Sequence, residues 1–205
     1  MNRVISYIDG FNLYFGLRSK GWRKYYWLDL YGVSASLLKP WQQLEHCHYF
    51  TARVSADGRS QSKNRQTLWL DALSTRTGIS VHEGHYLSKQ QNCKSCGAQW
   101  TTFEEKMTDV NIATQLLIDA FDDRYDTALV ISGDSDLTTP IQQVRKRFPD
   151  KRIIVAFPPG RHSLHLKSAA HGSMHIGEDK LRQNLLPDSI TMPNGFVLQR
   201  PNGWQ

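Results

Sequence analysis

The stretch Ala128–Val144, ALVISGDSDLTTPIQQV, constrains this chain more than any other. It opens on an apolar run rich in β-branched residues, Ala128 to Ser132, which suits a strand buried on both faces of a parallel sheet. Gly133 then lets the backbone turn sharply, Asp134 and Asp136 follow, and a helix reads from about Thr138 to Arg147. In open α/β sheets, ligands bind outside the carboxyl ends of the parallel strands. Two acids at that edge point to a divalent cation.

The N-terminus repeats this logic. Arg3 to Ile8 reads as a buried strand, and Asp9, Gly10, Phe11 and Asn12 lead into a helix containing Leu13 to Leu17. If the two strands are neighbours, about 4.8 Å apart, their terminal carboxylates can share one ion. Helix capping accounts for either acid singly and less well for the set. A further helix reads over Glu104–Phe121, where Val110, Ala113, Leu117, Ala120 and Phe121 recur at helical spacing and Thr108 can cap. Asp109, four residues before Ala113, falls on the side expected to face the sheet, with its first turn beside Asp9 and Asp134. Lys106 could answer phosphate charge from the same turn.

The 205 residues, 40% hydrophobic, can bury a core as one domain with an insertion. The domain spans residues 1–186, its insertion residues 88–103, and a loosely ordered tail follows over 187–205. The net charge of +6, from 25 Lys+Arg against 19 Asp+Glu, favours a polyanionic partner such as RNA or DNA. No run approaches the roughly 18 apolar residues of a membrane span and no signal-peptide pattern opens the chain, so a cytoplasmic protein without membrane contact is expected. Three cysteines are too few for a disulfide framework.

Between Gly21 and Gly32, Trp22, Tyr25, Tyr26, Trp27 and Tyr31 interleave with Arg23 and Lys24. Such a surface could stack bases, although aromatics of this kind more often pack onto a core. His46–Val54 and Ile79–Leu87 read as strands, Cys47 as a core residue, Ser55–Asn64 as a polar loop and Gln66–Thr77 as a helix. Cys93 and Cys96 form a C-x-x-C closed by Gly97, which suits a structural zinc knuckle. His82 and His85 are the nearest candidates to complete it. Arg152–Phe157 is a further buried strand, after which Arg161 and His162 open a short helix that could touch a nucleic-acid backbone. Gly177–Leu186 reads as a last helix.

The order YIDGFNLYFGL, EEKMTDVNIATQLLIDAF and YDTALVISGDSDLTTPIQQVRKRFPDKRIIVAFPPGR resembles the NYN domain family, PIN-like metal-dependent ribonucleases that include the LabA/DUF88 group. The resemblance implies a Rossmann-like three-layer α/β sandwich with a mostly parallel central sheet and a Mg²⁺ or Mn²⁺ site for RNA phosphodiester hydrolysis. It makes Asp9, Asp109, Asp134 and Asp136 the acidic cluster, with Asn12 beside it and Ser132 on the strand end. Clustered acids without a pairing histidine favour Mg²⁺ or Mn²⁺ over zinc. Lys106 and Arg161 are candidates for phosphate contact. A homo-oligomer or a protein regulator is left open. One rival is an RNA-binding or toxin-like interaction module with weak or no cleavage. The other is a haloacid-dehalogenase-like phosphatase, suggested by GDSD. Phe11 stands where that family needs a second Asp, which argues against it.

Overall fold

The structure is a computed structural model that describes residues 1–53 and 60–204, with the backbone alone at 60–63 and 103–105. The first half of the loop read at Ser55–Asn64 lies outside these residues, and the second half opens a helix instead. A seven-stranded sheet forms the middle layer. Its strands are β1 (Asn2–Asp9), β2 (Gln42–Ala52), β3 (Ile79–Asn92), β4 (Gln99–Lys106), β5 (Thr127–Ile131), β6 (Arg152–Phe157) and β7 (Gly172–His175). They lie in the order β4-β3-β2-β1-β5-β6-β7, all parallel except for the β3–β4 pair. The chain therefore builds outward from β1 in one direction and from β5 in the other. The crevice between the carboxyl ends of β1 and β5 is the topological switch point, where such sheets bind ligands.

Burial on both faces explains the continuous apolar strands. Val4, Ile8, Leu129 and Ile131 pack with Leu13 and Leu17 of α1 (Gly10–Ser19), with Trp27, and with Leu30 and Val33 of α2 (Leu30–Ser36). Ile5, Tyr7, Ala128 and Val130 pack with Ile112 and Leu116 of α4 (Thr108–Phe121), Ile141 and Val144 of α5 (Thr138–Arg147), and Leu166 of α6 (Leu164–Ala169). Each fully buried Leu, Ile or Val contributes roughly 1.5–3 kcal/mol of transfer free energy. Helices α3 (Ser60–Ser74) and α7 (Glu178–Gln183) complete the helical layers.

Several expectations from the sequence change here. Residues 104–106 belong to β4, so α4 starts at Thr108, and its N-cap is Met107, with φ 81° and no side-chain cap hydrogen bond. The buried side of α4 carries Thr108, Ile112, Leu116, Asp119 and Ala120, whereas Val110 and Phe121 are exposed. The apolar residues chosen for periodicity thus straddled two faces. Tyr25 and Trp27 are core residues, and Trp22, Tyr26 and Tyr31 pack partly buried against them, which removes the Gly21–Gly32 segment as a base-stacking surface. The tail is ordered. It forms a small hairpin of β8 (Ser189–Thr191) and β9 (Val197–Gln199) that buries Leu198, and Trp204 packs edge-on against Tyr26 at 5.6 Å. Among the described residues, no helix is long and apolar enough to cross a membrane.

Candidate active site

Asp9 ends β1 and caps α1. Its Oδ1 accepts a hydrogen bond from the Asn12 backbone N–H at 2.9 Å, and its Oδ2 accepts from Asn12 Nδ2 at 2.8 Å and Ser132 Oγ at 2.7 Å. Ser132, just beyond β5, accepts the backbone N–H of Asp134 on the same hydroxyl oxygen at 3.0 Å. Asn12 Oδ1 accepts the Gly133 N–H at 3.2 Å. Asn12 and Ser132 therefore lace the ends of β1 and β5 together and fix the Asp9 carboxylate between them. Asp9 is 1% exposed, and burial raises its pKa, with the nearby Asp134 charge adding to the rise. Asp134 caps the short 3-10 turn Ser135–Leu137, its Oδ1 accepting from the Asp136 N–H at 3.0 Å. Capping thus explains part of each acid's local role, as the sequence allowed.

Two glycines make this proximity possible. A Cβ on Gly10 would lie 2.6 Å from the Phe50 carbonyl oxygen and the Tyr49 hydroxyl, so only glycine lets α1 start this close to β2. Gly133 stays outside the left-handed region, so it is not needed for a sharp turn. It is needed for close approach instead, since a Cβ there would lie 2.9 Å from Arg161 Cβ and 3.3 Å from Asn12 Oδ1.

The other sequence candidates lie on separate elements. Asp136 is exposed on the 3-10 turn, and Asp109 is half-buried in the first turn of α4, the helix that packs against that turn. Arg161 sits on Gly133 at the mouth of the crevice, in a loop before α6 rather than in a helix. Lys106 is exposed at the end of β4, not in the helical turn expected for it. Among the described residues, no three His, Cys, Asp or Glu side chains converge closely enough to enclose an ion. A hard cation such as Mg²⁺ does not need such a cage, because it keeps most of its waters and takes one or two carboxylates plus substrate phosphates. Asp9 has one of about four lone-pair sites left, and Asp134 Oδ2 accepts no hydrogen bond among the described residues. That oxygen-only pair fits Mg²⁺ or Mn²⁺ and does not fit a closed zinc site.

A family model described as the NYN domain matches residues 3–177. The chain belongs to the NYN domain family. With that membership comes a nuclease-like fold. A crystal structure of a protein of unknown function from Vibrio parahaemolyticus superimposes on this NYN domain with a TM-score of 0.54 at 18% identity, over 87% of this chain and 94% of that one. A curated relative, 6-hydroxy-3-succinoylpyridine 3-monooxygenase HspA of Pseudomonas putida, is 27% identical over 241 aligned positions, covering 98% of this chain and 75% of its own.

In this NYN domain the C-x-x-C lies at the tip of the β3–β4 hairpin, where Gly97 N–H donates to the Cys93 carbonyl at 2.9 Å. Backbone N–H groups of Cys96 and Ser95 lower the Cys93 thiol pKa, as a knuckle does. Neither histidine completes a zinc set. The extended strand puts Cys93 roughly 25 Å beyond His85, and His82 is turned to His48 Nδ1 at 2.8 Å and stacked on Phe50. Cys47 is fully buried, which pushes its thiol pKa up to about 12. Iodoacetamide at mild alkaline pH is therefore expected to add two groups to the native protein and three to the unfolded one, read by intact mass. Three additions to the native protein would contradict the burial of Cys47.

One group of residues escaped the sequence reading. Asp119, 0% exposed on α4, accepts from Tyr7 OH at 2.7 Å and Gln115 Nε2 at 3.0 Å. His48 Nε2 lies 3.2 Å from it, off the line of a good hydrogen bond. Its signal in the sequence was an acid on the apolar side of an amphipathic helix, hidden while the face was assigned one position out of phase.

Proposed function

We propose that the protein is a metal-dependent ribonuclease that hydrolyses phosphodiester bonds of RNA, as an endonuclease, at the crevice between β1 and β5. The supporting observation is the buried Asp9 carboxylate, joined to the Asp134 backbone through the Ser132 hydroxyl at the switch point of a sheet of the NYN family. Asp9 and Asp134 would hold Mg²⁺ or Mn²⁺, with Asp109 and Asp136 acting directly or through water. When bound, such a cation acidifies a coordinated water and offsets charge on the non-bridging phosphate oxygens.

The chain's own residues do the rest. Asn12 and Ser132 hold the Asp9 carboxylate in one orientation. Arg161, at the crevice mouth, and the exposed Lys106 bind phosphate and place the scissile phosphorus. Asp136 takes a proton from the attacking water. The water oxygen bonds to phosphorus, the bridging P–O bond breaks, and the leaving oxygen takes a proton from solvent water and departs as a hydroxyl.

The test is cleavage of a labelled single-stranded RNA in Mn²⁺, Mg²⁺ or EDTA. Internal cleavage that requires either ion is expected. Binding without cleavage in every ion would replace this reading with an RNA-binding module. A second reading comes from the likeness to the Pseudomonas monooxygenase: oxidation of a hydroxylated pyridine. Turnover of 6-hydroxy-3-succinoylpyridine with oxygen and a two-electron reductant, with no RNA cleavage in parallel assays, would favour it.

A further inference from the structure

Helix α1 has an outer aromatic face that its neighbours cover only in part, with Tyr14 meeting the Tyr26 ring at 5.2 Å. Leu13, Gly16 and Leu17 are buried on its inner side. Phe11, Tyr14, Phe15 and Arg18 recur at i, i+3, i+4 and i+7 on the other side, where Tyr14 is 43% and Phe15 40% exposed. The Phe11 and Phe15 rings lie 26° from parallel with centroids 6.4 Å apart, and Tyr86 meets Phe11 edge-on at 6.1 Å. The guanidinium groups of Arg18 and Arg161 are each 6.0 Å from the Phe15 centroid. Arg161 Nε has no hydrogen-bond partner among the described residues.

This surface adjoins the candidate active site. Phe11 precedes Asn12 in the same helical turn, and Arg161 reaches Phe15 from its seat on Gly133. We propose that the outer face of α1 is a stacking platform for bases of a single-stranded nucleic acid, with Arg18 and Arg161 gripping phosphates on either side of the stacked base. The proposal rests on the hydrolytic reading of the Asp9–Asp134 crevice, whose substrate it specifies as unpaired strand.

Three physical arguments support that occupant. Exposed rings interleaved with cations match the chemistry of unpaired bases on a polyanionic backbone, and every base offers a face to stack. A duplex keeps its bases stacked on one another and offers a platform nothing. A second copy of this chain docking symmetrically through this face would bring the Arg18–Arg161 patch of one copy against the same positive patch of the other, a like-charge juxtaposition that costs affinity.

The test is fluorescence anisotropy in EDTA with a labelled oligouridylate and an abasic strand of equal length and charge. The native protein is expected to bind the base-bearing strand about tenfold more tightly than the abasic one. Phe15→Leu keeps an apolar side chain but has no ring face, so the two affinities should converge, and Phe15→Trp should keep them apart. Circular dichroism melts check that both variants fold. An unchanged preference in Phe15→Leu, or no preference in the native protein, overturns the platform. So does self-association that Phe15→Leu abolishes while RNA affinity stays constant. Cleavage of the same oligouridylate in Mn²⁺ separates the two readings. Cleavage without base preference overturns the platform and leaves the crevice. A base preference lost in Phe15→Leu, without cleavage, supports the platform and rejects the hydrolytic centre.

Discussion

Asp134→Asn is expected to lower Mn²⁺-dependent RNA cleavage by at least about a hundredfold while leaving the fold intact. Groups that only support a metal ligand already cost 10–100-fold on removal, so a direct ligand should cost no less. The fold survives because asparagine keeps an oxygen for the Asp136 N–H that Asp134 Oδ1 now accepts. Denaturant stability should stay within about 1 kcal/mol, the worth of one hydrogen bond. Asp9→Asn is a less clean probe. Both oxygens of Asp9 face donors, so an amide nitrogen would oppose either the Asn12 backbone N–H or the Ser132 and Asn12 side-chain donors. Full activity in Asp134→Asn would remove the acidic crevice as the site.

The largest loss of stability should come from a residue on another part of the same layer. Asp119→Ala strips the acceptor from Tyr7 OH and Gln115, and removes the negative charge beside His48 Nε2, all at a fully buried site. Removing one partner of a buried charged network costs about 3–5 kcal/mol, or roughly a 10 °C fall in Tm for a chain of this size. A loss below about 1 kcal/mol would show that the network carries little.

Acid titration gives an independent check on that network. Burial raises the Asp119 pKa, but the close approach of His48 and the hydrogen bond from Tyr7 outweigh it and hold the carboxyl below its usual range. A depressed carboxyl contributes stability above its unfolded pKa of about 3.9, and that contribution is lost as pH falls through the folded value. Burial, with the nearby His48, lowers the pKa of both His46 and His82. Their unfolded forms bind protons first, so stability should already begin to fall below about pH 6.5. The Asp119 contribution should fade separately, below about pH 4. Chemical denaturation of native and Asp119→Asn protein between pH 3 and 8 would resolve the two windows.

The strand ends at Asp9 and Ser132 were legible in the sequence because a doubly buried parallel strand is a continuous apolar run, and the polar residue that interrupts it marks the edge. β4 was not legible. Its residues alternate weakly, and pairing with β3 overrides the helical reading of Glu104–Lys106. Asn12 and Arg161 were named from motif and charge, but the Asn12 bond to Gly133 and the seat of Arg161 depend on contacts more than 100 and nearly 30 residues away. The aromatic face of α1 was overlooked because i, i+4 aromatics normally signal a core stripe. On α1 the small and branched residues took the inner side.

The crevice is stitched by bonds that span 123 residues of sequence, from Asp9 to Ser132. Closing so long a loop is entropically unfavourable until the intervening strands have paired, so the site assembles with the global fold and not before it. At typical synthesis rates, roughly ten seconds separate the emergence of Asp9 from that of Ser132. During that interval the nascent chain lies within reach of its own message and carries no complete carboxylate pair. If the proposed hydrolysis takes place there, its competence is tied to completion of the sheet, and heating should extinguish activity and cooperative structure at one temperature.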